Sequence, residues 1–153
     1  LLIWGKLRPQ NGKINTLITR SSKNRQLMEV GISKGKRAIT NYRTLEIFEN
    51  DRTPTLSLVE CKLETGRTHQ IRVHFAFRRR TLVGDPLYGR LMIPSGCSLG
   101  LKEVLSSFKR QALCASRLEL IHTFSDQTIT LDLEPDTDCK NLLNVTTLDL
   151  TAE

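Results

Sequence analysis

At 153 residues and 39% hydrophobic content, the chain is long enough to bury one sizeable core and too apolar to be disordered. No run approaches the roughly 18 apolar residues of a membrane-spanning helix, and Leu1-Leu2-Ile3-Trp4 is too short and lacks the basic start of a signal peptide, so a soluble cytoplasmic protein is expected. Residues 1–80 hold 17 Lys+Arg against 6 Asp+Glu and residues 81–153 hold 6 against 10, for a net charge of +7; this is the pattern of a face that grips a phosphate backbone, or of a solvated basic surface.

Leu1 to Gly5 reads as an apolar strand that starts without a cap or turn, which suggests a chain beginning inside a structural element. Pro9 and the pair Asn11-Gly12 predict a turn, and Lys13 to Thr19 alternates as the second strand of a hairpin. Ser21 to Gln26 is a polar loop, Leu27 to Val30 a short apolar segment, and Lys34-Gly35-Lys36 a basic turn. Arg37 to Glu49 and Thr55 to Leu63 read as antiparallel partners across the polar turn at Asn50 to Pro54. The apolar phase slips between Leu58 and Val59, which predicts a bulge or burial on both faces.

Thr65-Gly66 then marks a tight turn, with Thr68 expected to N-cap a helix. On that helix His69, Arg72, Ala76 and Arg79 share one side by three-and-four spacing, with Ile71 and Phe75 one step round as an apolar pair. A cationic face beside a buriable one fits a ligand site, and equally a surface helix with solvated arginines. The glycine-bracketed loop Thr81 to Gly89 follows Arg78-Arg79-Arg80. Leu101, Val104, Leu105 and Phe108 define an amphipathic helix over Leu99 to Lys109, and Ala112 to His122 with Gln127 to Glu134 predict a hairpin. Pro135 to Glu153 reads as an acidic tail. The elements make an α+β domain with two principal helices over residues 1–135, and a tail over 136–153.

Cys61, Cys97, Cys114 and Cys139 are widely separated, with no CxxC pair and no histidine at ligand spacing; reduced, packed thiols are expected, with no metal site.

Four stretches in order, Lys34 to Tyr42 (KGKRAITNY), Leu63 to His74 (LETGRTHQIRVH), Val83 to Gly89 (VGDPLYG) and Arg110 to Leu118 (RQALCASRL), resemble the C-terminal motifs of RluA-type pseudouridine synthases. The resemblance implies a mixed, mainly antiparallel sheet, an RNA-modifying activity without cofactor or metal, and structured RNA as partner, rRNA before tRNA. It departs from the family pattern at Cys114, where histidine is common, and at His122-Thr123, where His-Pro is usual. The family's catalytic aspartate lies in an Arg-Leu-Asp motif, which these residues lack; Arg117-Leu118-Glu119 belongs to another motif, and the aspartate and a following tyrosine are expected upstream of Leu1.

Pseudouridine formation breaks the bond between ribose and uracil nitrogen, turns the base and rejoins it through carbon, so a carboxylate needs a cation beside it in a pocket that retains the base. By resemblance Arg72 is that cation. Leu113 is an apolar wall of the uracil pocket or simply core. Arg67, Thr68, His69 and Gln70, where the turn meets the helix N-terminus, and Arg78, Arg79 and Arg80 are expected on the RNA backbone, His69 serving equally well as a structural histidine. A catalytically inactive RNA-binding module and a ribosome-associated assembly protein are the competing readings.

Overall fold

The computed structural model describes residues 1–151, with only the backbone of Thr151. Five strands, β1 (Leu2–Trp4), β2 (Asn11–Arg20), β3 (Met28–Gly31), β4 (Lys36–Phe48) and β5 (Leu56–Leu63), form one sheet in the order β1-β5-β4-β2-β3. Every described pairing is antiparallel. Helices α1 (Gln70–Phe77), α2 (Leu99–Ser107) and α3 (Thr137–Thr151) and a separate hairpin of β6 (Arg117–Ile121) and β7 (Thr128–Asp132) complete an α+β architecture.

Strand alternation decides which helix covers which face. In β1, Leu2 and Trp4 join a core with Phe48, Leu56 and residues of α2 and α3, whereas Ile3 between them joins Tyr42, Val59 and Phe75 of α1. The sheet therefore lies between α1 on one side and α2 with α3 on the other. On its free side, β1 is flanked by the loop after α1: Trp4 N–H donates to Thr81 O, and Val83 N–H to Leu2 O, both at 3.0 Å.

The long β4–β5 pair forms as expected, and its register shifts between Thr44 and Glu46, opposite Val59 and Leu58, where the apolar phase slips. The extra residue, Leu45, sits on the partner strand. The expected hairpin at Asn11-Gly12 does not form. Both residues lie inside β2 and pair with Arg43 and Tyr42 of β4, and a Cβ on Gly12 would come within 2.8 Å of the Tyr42 hydroxyl oxygen. Glycine is there for the close approach of a tyrosine, not for a turn.

Thr68 does not cap α1. His69 takes the N-cap position in the left-handed region at φ 55°, with no side-chain cap, and the helix begins at Gln70. The α2 helix is capped by Ser98, whose Oγ accepts from Leu101 N–H at 3.1 Å. The predicted acidic tail is instead α3, the third helix; its Leu142, Thr146 and Leu150 are buried, the two leucines in the core that α2 also fills. Ala152 and Glu153, counted in that tail, lie outside the described residues. The β6–β7 hairpin forms with shorter strands than expected, exposed along both.

Candidate functional site

Arg72 sits in the middle of α1, on the turn of helix between Gln70 and His74, and is 8% exposed. Its guanidinium is met from the glycine-bracketed loop by Asp85, in a side-on pair: Nε donates to Oδ2 at 2.8 Å and Nη2 to Oδ1 at 2.7 Å. The loop is shaped for this. Gly84, at φ 72°, has Arg110 O only 2.3 Å from where a Cβ would stand, so the chain turns into Asp85 at a point only glycine can occupy. Asp85 Oδ1 also accepts the N–H groups of Leu87 and Tyr88 at 2.9 and 3.1 Å.

Burial pushes the Asp85 carboxyl up, but the Arg72 bonds and the Tyr88 and Leu87 N–H groups outweigh it and hold the group below the usual aspartate range. The same bonds raise Arg72 against its own burial. The pair is thus ionised and hydrogen-bonded, the condition under which a buried charge is tolerated.

Tyr88 closes the site. The Arg72 guanidinium carbon stands 5.0 Å from the Tyr88 ring centroid, and the tyrosine hydroxyl lies 2.9 Å from His69 Nδ1 and accepts from Met28 N–H at 2.8 Å. His69 is half-buried; burial first, and the Arg72 charge second, lower its pKa and favour the neutral ring. Among the described residues, Nη1 of Arg72 has no hydrogen-bond partner, and it is not one of the sealed-off unsatisfied atoms. Its two N–H donors are therefore unused by any described group.

The remaining expected residues divide. Arg67 and Thr68 are exposed and line a groove of about 450 Å³ with Ile18, Arg20, Lys36 and Gly66. Arg67 Nε donates to Arg37 O, which aims the side chain without neutralising it. Gln70 is turned inward, 3% exposed: Oε1 accepts from Thr65 Oγ1 and Arg67 N–H, and Nε2 donates to Ile39 O and Thr40 Oγ1. Its amide braces the turn against β4 and is not available to a phosphate. Arg78 and Arg80 bond the carbonyls of Arg8 and Lys6, and Arg79 sits at φ 56° beyond the helix; all three keep their charge at the end of α1 away from the groove. Leu113 packs half-buried against the cluster that holds Phe75 and Ile71, one step round α1 from Arg72.

Sequence reasoning left out Asp85, Tyr88 and His74. The usable signal for Asp85 was that it is the sole acid between Glu64 and Glu103 and follows a glycine. His74 is fully buried, Nδ1 against Thr40 Oγ1 and Nε2 against Thr16 Oγ1, each at 2.9 Å, and burial lowers its pKa to about 4. It joins two strands to α1 and touches no opening.

The sheet is thus flanked by helices, with an arginine-bearing helix whose cation is fixed by Asp85 against Tyr88 and whose N-terminal turn borders a groove lined by Arg20, Lys36 and Arg67. The model of the RNA pseudouridylate synthase family matches residues 4–77. Three bacterial proteins named ribosomal large subunit pseudouridine synthase D are similar to this chain. The protein of Zymomonas mobilis is 41% identical over 135 residues, 88% of this chain and 40% of its own length. That of Xylella fastidiosa is 46% identical over 112 residues, 72% of this chain and 32% of its own. That of Neisseria meningitidis is 42% identical over 142 residues, 92% of this chain and 36% of its own. The solved structure of human RNA pseudouridylate synthase domain containing 1 superposes with a TM-score of 0.64 at 26% identity, over 88% of this chain and 52% of that one. Human RNA pseudouridylate synthase domain containing 4, at a TM-score of 0.65 and 21% identity over 95% of this chain and 59% of that one, shares the fold. The chain belongs to the RluA-type RNA pseudouridine synthases. It spans 32 to 40% of the length of these three bacterial relatives.

Proposed function

We propose that this chain is the RNA-holding and arginine-bearing portion of a pseudouridine synthase that acts on structured RNA, large-subunit rRNA before tRNA. The observation that carries the reading is the half-satisfied guanidinium of Arg72. Asp85 uses Nε and Nη2, and Tyr88 faces the guanidinium, so the cation is fixed while Nη1 still offers two donors to a carboxylate or to the base. No carboxylate other than Asp85 meets Arg72 among the described residues, and Asp85 is fully engaged. We place the nucleophile of the reaction outside the described residues, and expect the chain alone to turn nothing over.

In this reading the groove of Arg20, Lys36, Arg67 and Thr68 takes RNA phosphates and orients the strand, Leu113 and its apolar neighbours keep the detached uracil from water, and Arg72 holds the attacking carboxylate ionised. These roles call for no metal or cofactor, and we place the protein in the cytoplasm.

The test joins this chain to the preceding segment of the Zymomonas mobilis relative and measures pseudouridine in a large-subunit rRNA fragment. Product is expected, and Arg72→Ala in the same chimera should remove it while most RNA affinity remains. A folded chimera that binds RNA without forming product favours the binding-module reading, and one that does not bind RNA overturns both.

A further inference from the structure

Away from Arg72, the fold brings together two cysteines that lie 25 residues apart in the chain: Cys114, in the segment leading to β6, and Cys139, in the first turn of α3, with sulfurs 2.6 Å apart. Both are half-buried and thus reachable by a small molecule, whereas Cys97 is buried and bonded to Pro94 O. Arg110 lies against the pair. Its Nη2 donates to Asp136 Oδ2, Asp138 Oδ1 and Cys139 Sγ at 2.6, 2.8 and 3.3 Å. Asp136 Oδ1 accepts from Cys139 N–H at 3.3 Å and lies 3.5 Å from Cys114 Sγ.

Two sulfurs and a carboxylate within 4.8 Å of one another suggest either a metal or a bond between the sulfurs, and distance decides. Two thiolates on one zinc, at roughly 2.3 Å each, stand about 3.8 Å apart, so the pair would have to open by more than 1 Å. A disulfide needs about 2.05 Å, a closure of roughly half an ångström. The Arg110 cation on Asp136 and Cys139 further opposes a divalent ion there.

We propose that Cys114 and Cys139 are a reversible modification site, a dithiol that a small-molecule disulfide such as oxidised glutathione converts to an intramolecular disulfide. The Cys114 sulfur gives its proton to solvent and attacks one sulfur of the small disulfide, whose other half leaves as a thiolate and takes up a proton. Cys139 sulfur, losing its own proton, then attacks the Cys114 sulfur of the mixed disulfide and releases the second small thiol. Two protein S–H bonds and one small-molecule S–S bond are exchanged for one protein S–S bond and two small-molecule thiols; the protein is oxidised by two electrons and the oxidant reduced by two. Burial, and then the neighbouring Cys114, push the Cys139 thiol up to about 12, which keeps it protonated until the mixed disulfide has formed beside it. The bond would tie the start of α3 to the residue after Leu113 and so fasten one wall of the proposed pocket.

The full chain is incubated with oxidised glutathione, then examined by intact mass, by peptide mapping and by thermal melting. The expected result is a mass loss of two hydrogens, a linked peptide pair containing Cys114 and Cys139, and a melting temperature higher by roughly 5–10 °C that reductant reverses. Cys139→Ala should stop at the mixed disulfide on Cys114; the peptide map of the unaltered chain decides the matter should that variant not fold. A wild-type chain that keeps glutathione on Cys114, that keeps both thiols free, or that binds one zinc ion and thereby resists oxidation overturns the proposal.

Discussion

Arg72 and Asp85 meet across 13 residues of sequence with two bonds of 2.8 and 2.7 Å, and at 8% and 1% exposure they form a dry ion pair between the middle of α1 and the loop that returns along β1. The pair fixes the loop to the helix. It also fixes which side of the guanidinium remains open.

Neutralising one partner should therefore cost far more than a surface ion pair would. Asp85→Asn keeps the shape but leaves the cation buried without its counter-charge, and a loss of about 3–5 kcal/mol in urea unfolding is expected. Replacing both residues, as Arg72→Met with Asp85→Leu, should recover much of that loss, because no charge is then left unpaired. A loss below about 1 kcal/mol for Asp85→Asn would mean that water reaches the pair and screens it.

His74 sets a pH dependence with a definite sign. In the folded chain its pKa falls to about 4 from 6.5 because the ring is buried, so below pH 6.5 the unfolded chain takes up a proton that the folded one refuses. Stability contributed by the neutral ring is complete above that value and declines as pH falls towards 4, by up to about 3 kcal/mol. The Asp85 carboxyl, held below 3.8, loses its contribution only at lower pH, so the two losses separate. Urea unfolding at steps between neutrality and about pH 4 measures this; a flat curve over that span would show that His74 protonates in place.

The β4–β5 pair, α2 and the late hairpin were legible because each rests on local periodicity or on turn residues adjacent in sequence. Asn11-Gly12 misled for the same reason. The pair has turn chemistry, but the partner of Gly12 is Tyr42, thirty residues on, and nothing local shows that a tyrosine ring will cover it. Thr68 failed as a cap because Gln70, facing inward, supplies the hydrogen bonds that hold the turn. The helix α3 was hidden by its acidic residues, whose polar positions diluted the stripe formed by Leu142, Thr146 and Leu150. Of the site, the arginine was legible from its motif, while its partner was not, since a pairing between helix and loop leaves no period to read.

Because α3 contributes to the main core, it should behave as structure and not as a tail. Leu142 is 1% exposed among residues shared with α2, and Leu142→Ala is expected to destabilise the chain by about 2–5 kcal/mol. Leu148, 72% exposed on the same helix, is the matched control, and Leu148→Ala should change stability by less than about 0.5 kcal/mol. Equal effects at the two positions would show that α3 does not dock.

RNA affinity should fall steeply with salt, since each phosphate met by a cation releases counterions. Arg20, Lys36 and Arg67 line one groove, so the triple change to alanine should lower the magnitude of the log–log slope by roughly 2 to 3, about 0.7 to 0.9 for each charge. The same triple change at Arg78, Arg79 and Arg80 probes the other end of α1, and the two sets together apportion the contact. Binding measured by fluorescence anisotropy at several salt concentrations gives the slopes. An unchanged slope in the groove variant would remove the groove from the RNA path.

The isolated 153-residue chain should bind RNA yet form no pseudouridine. Positioning and charge can accelerate the step only where a nucleophile exists, and the carboxylate nearest to Arg72 is Asp85, whose Oδ1 accepts from Arg72, Leu87 and Tyr88 and whose Oδ2 is held by Arg72 Nε. Turning Asp85 to attack a ribose carbon would break four hydrogen bonds and strand the arginine. The assay is a pseudouridine-specific chemical stop on rRNA exposed to the purified chain, with a full-length relative as positive control. Product that survives Asp85→Asn would place the nucleophile elsewhere in the chain. Product abolished by that change in a folded variant would make Asp85 the nucleophile and overturn its role as the anchor of Arg72.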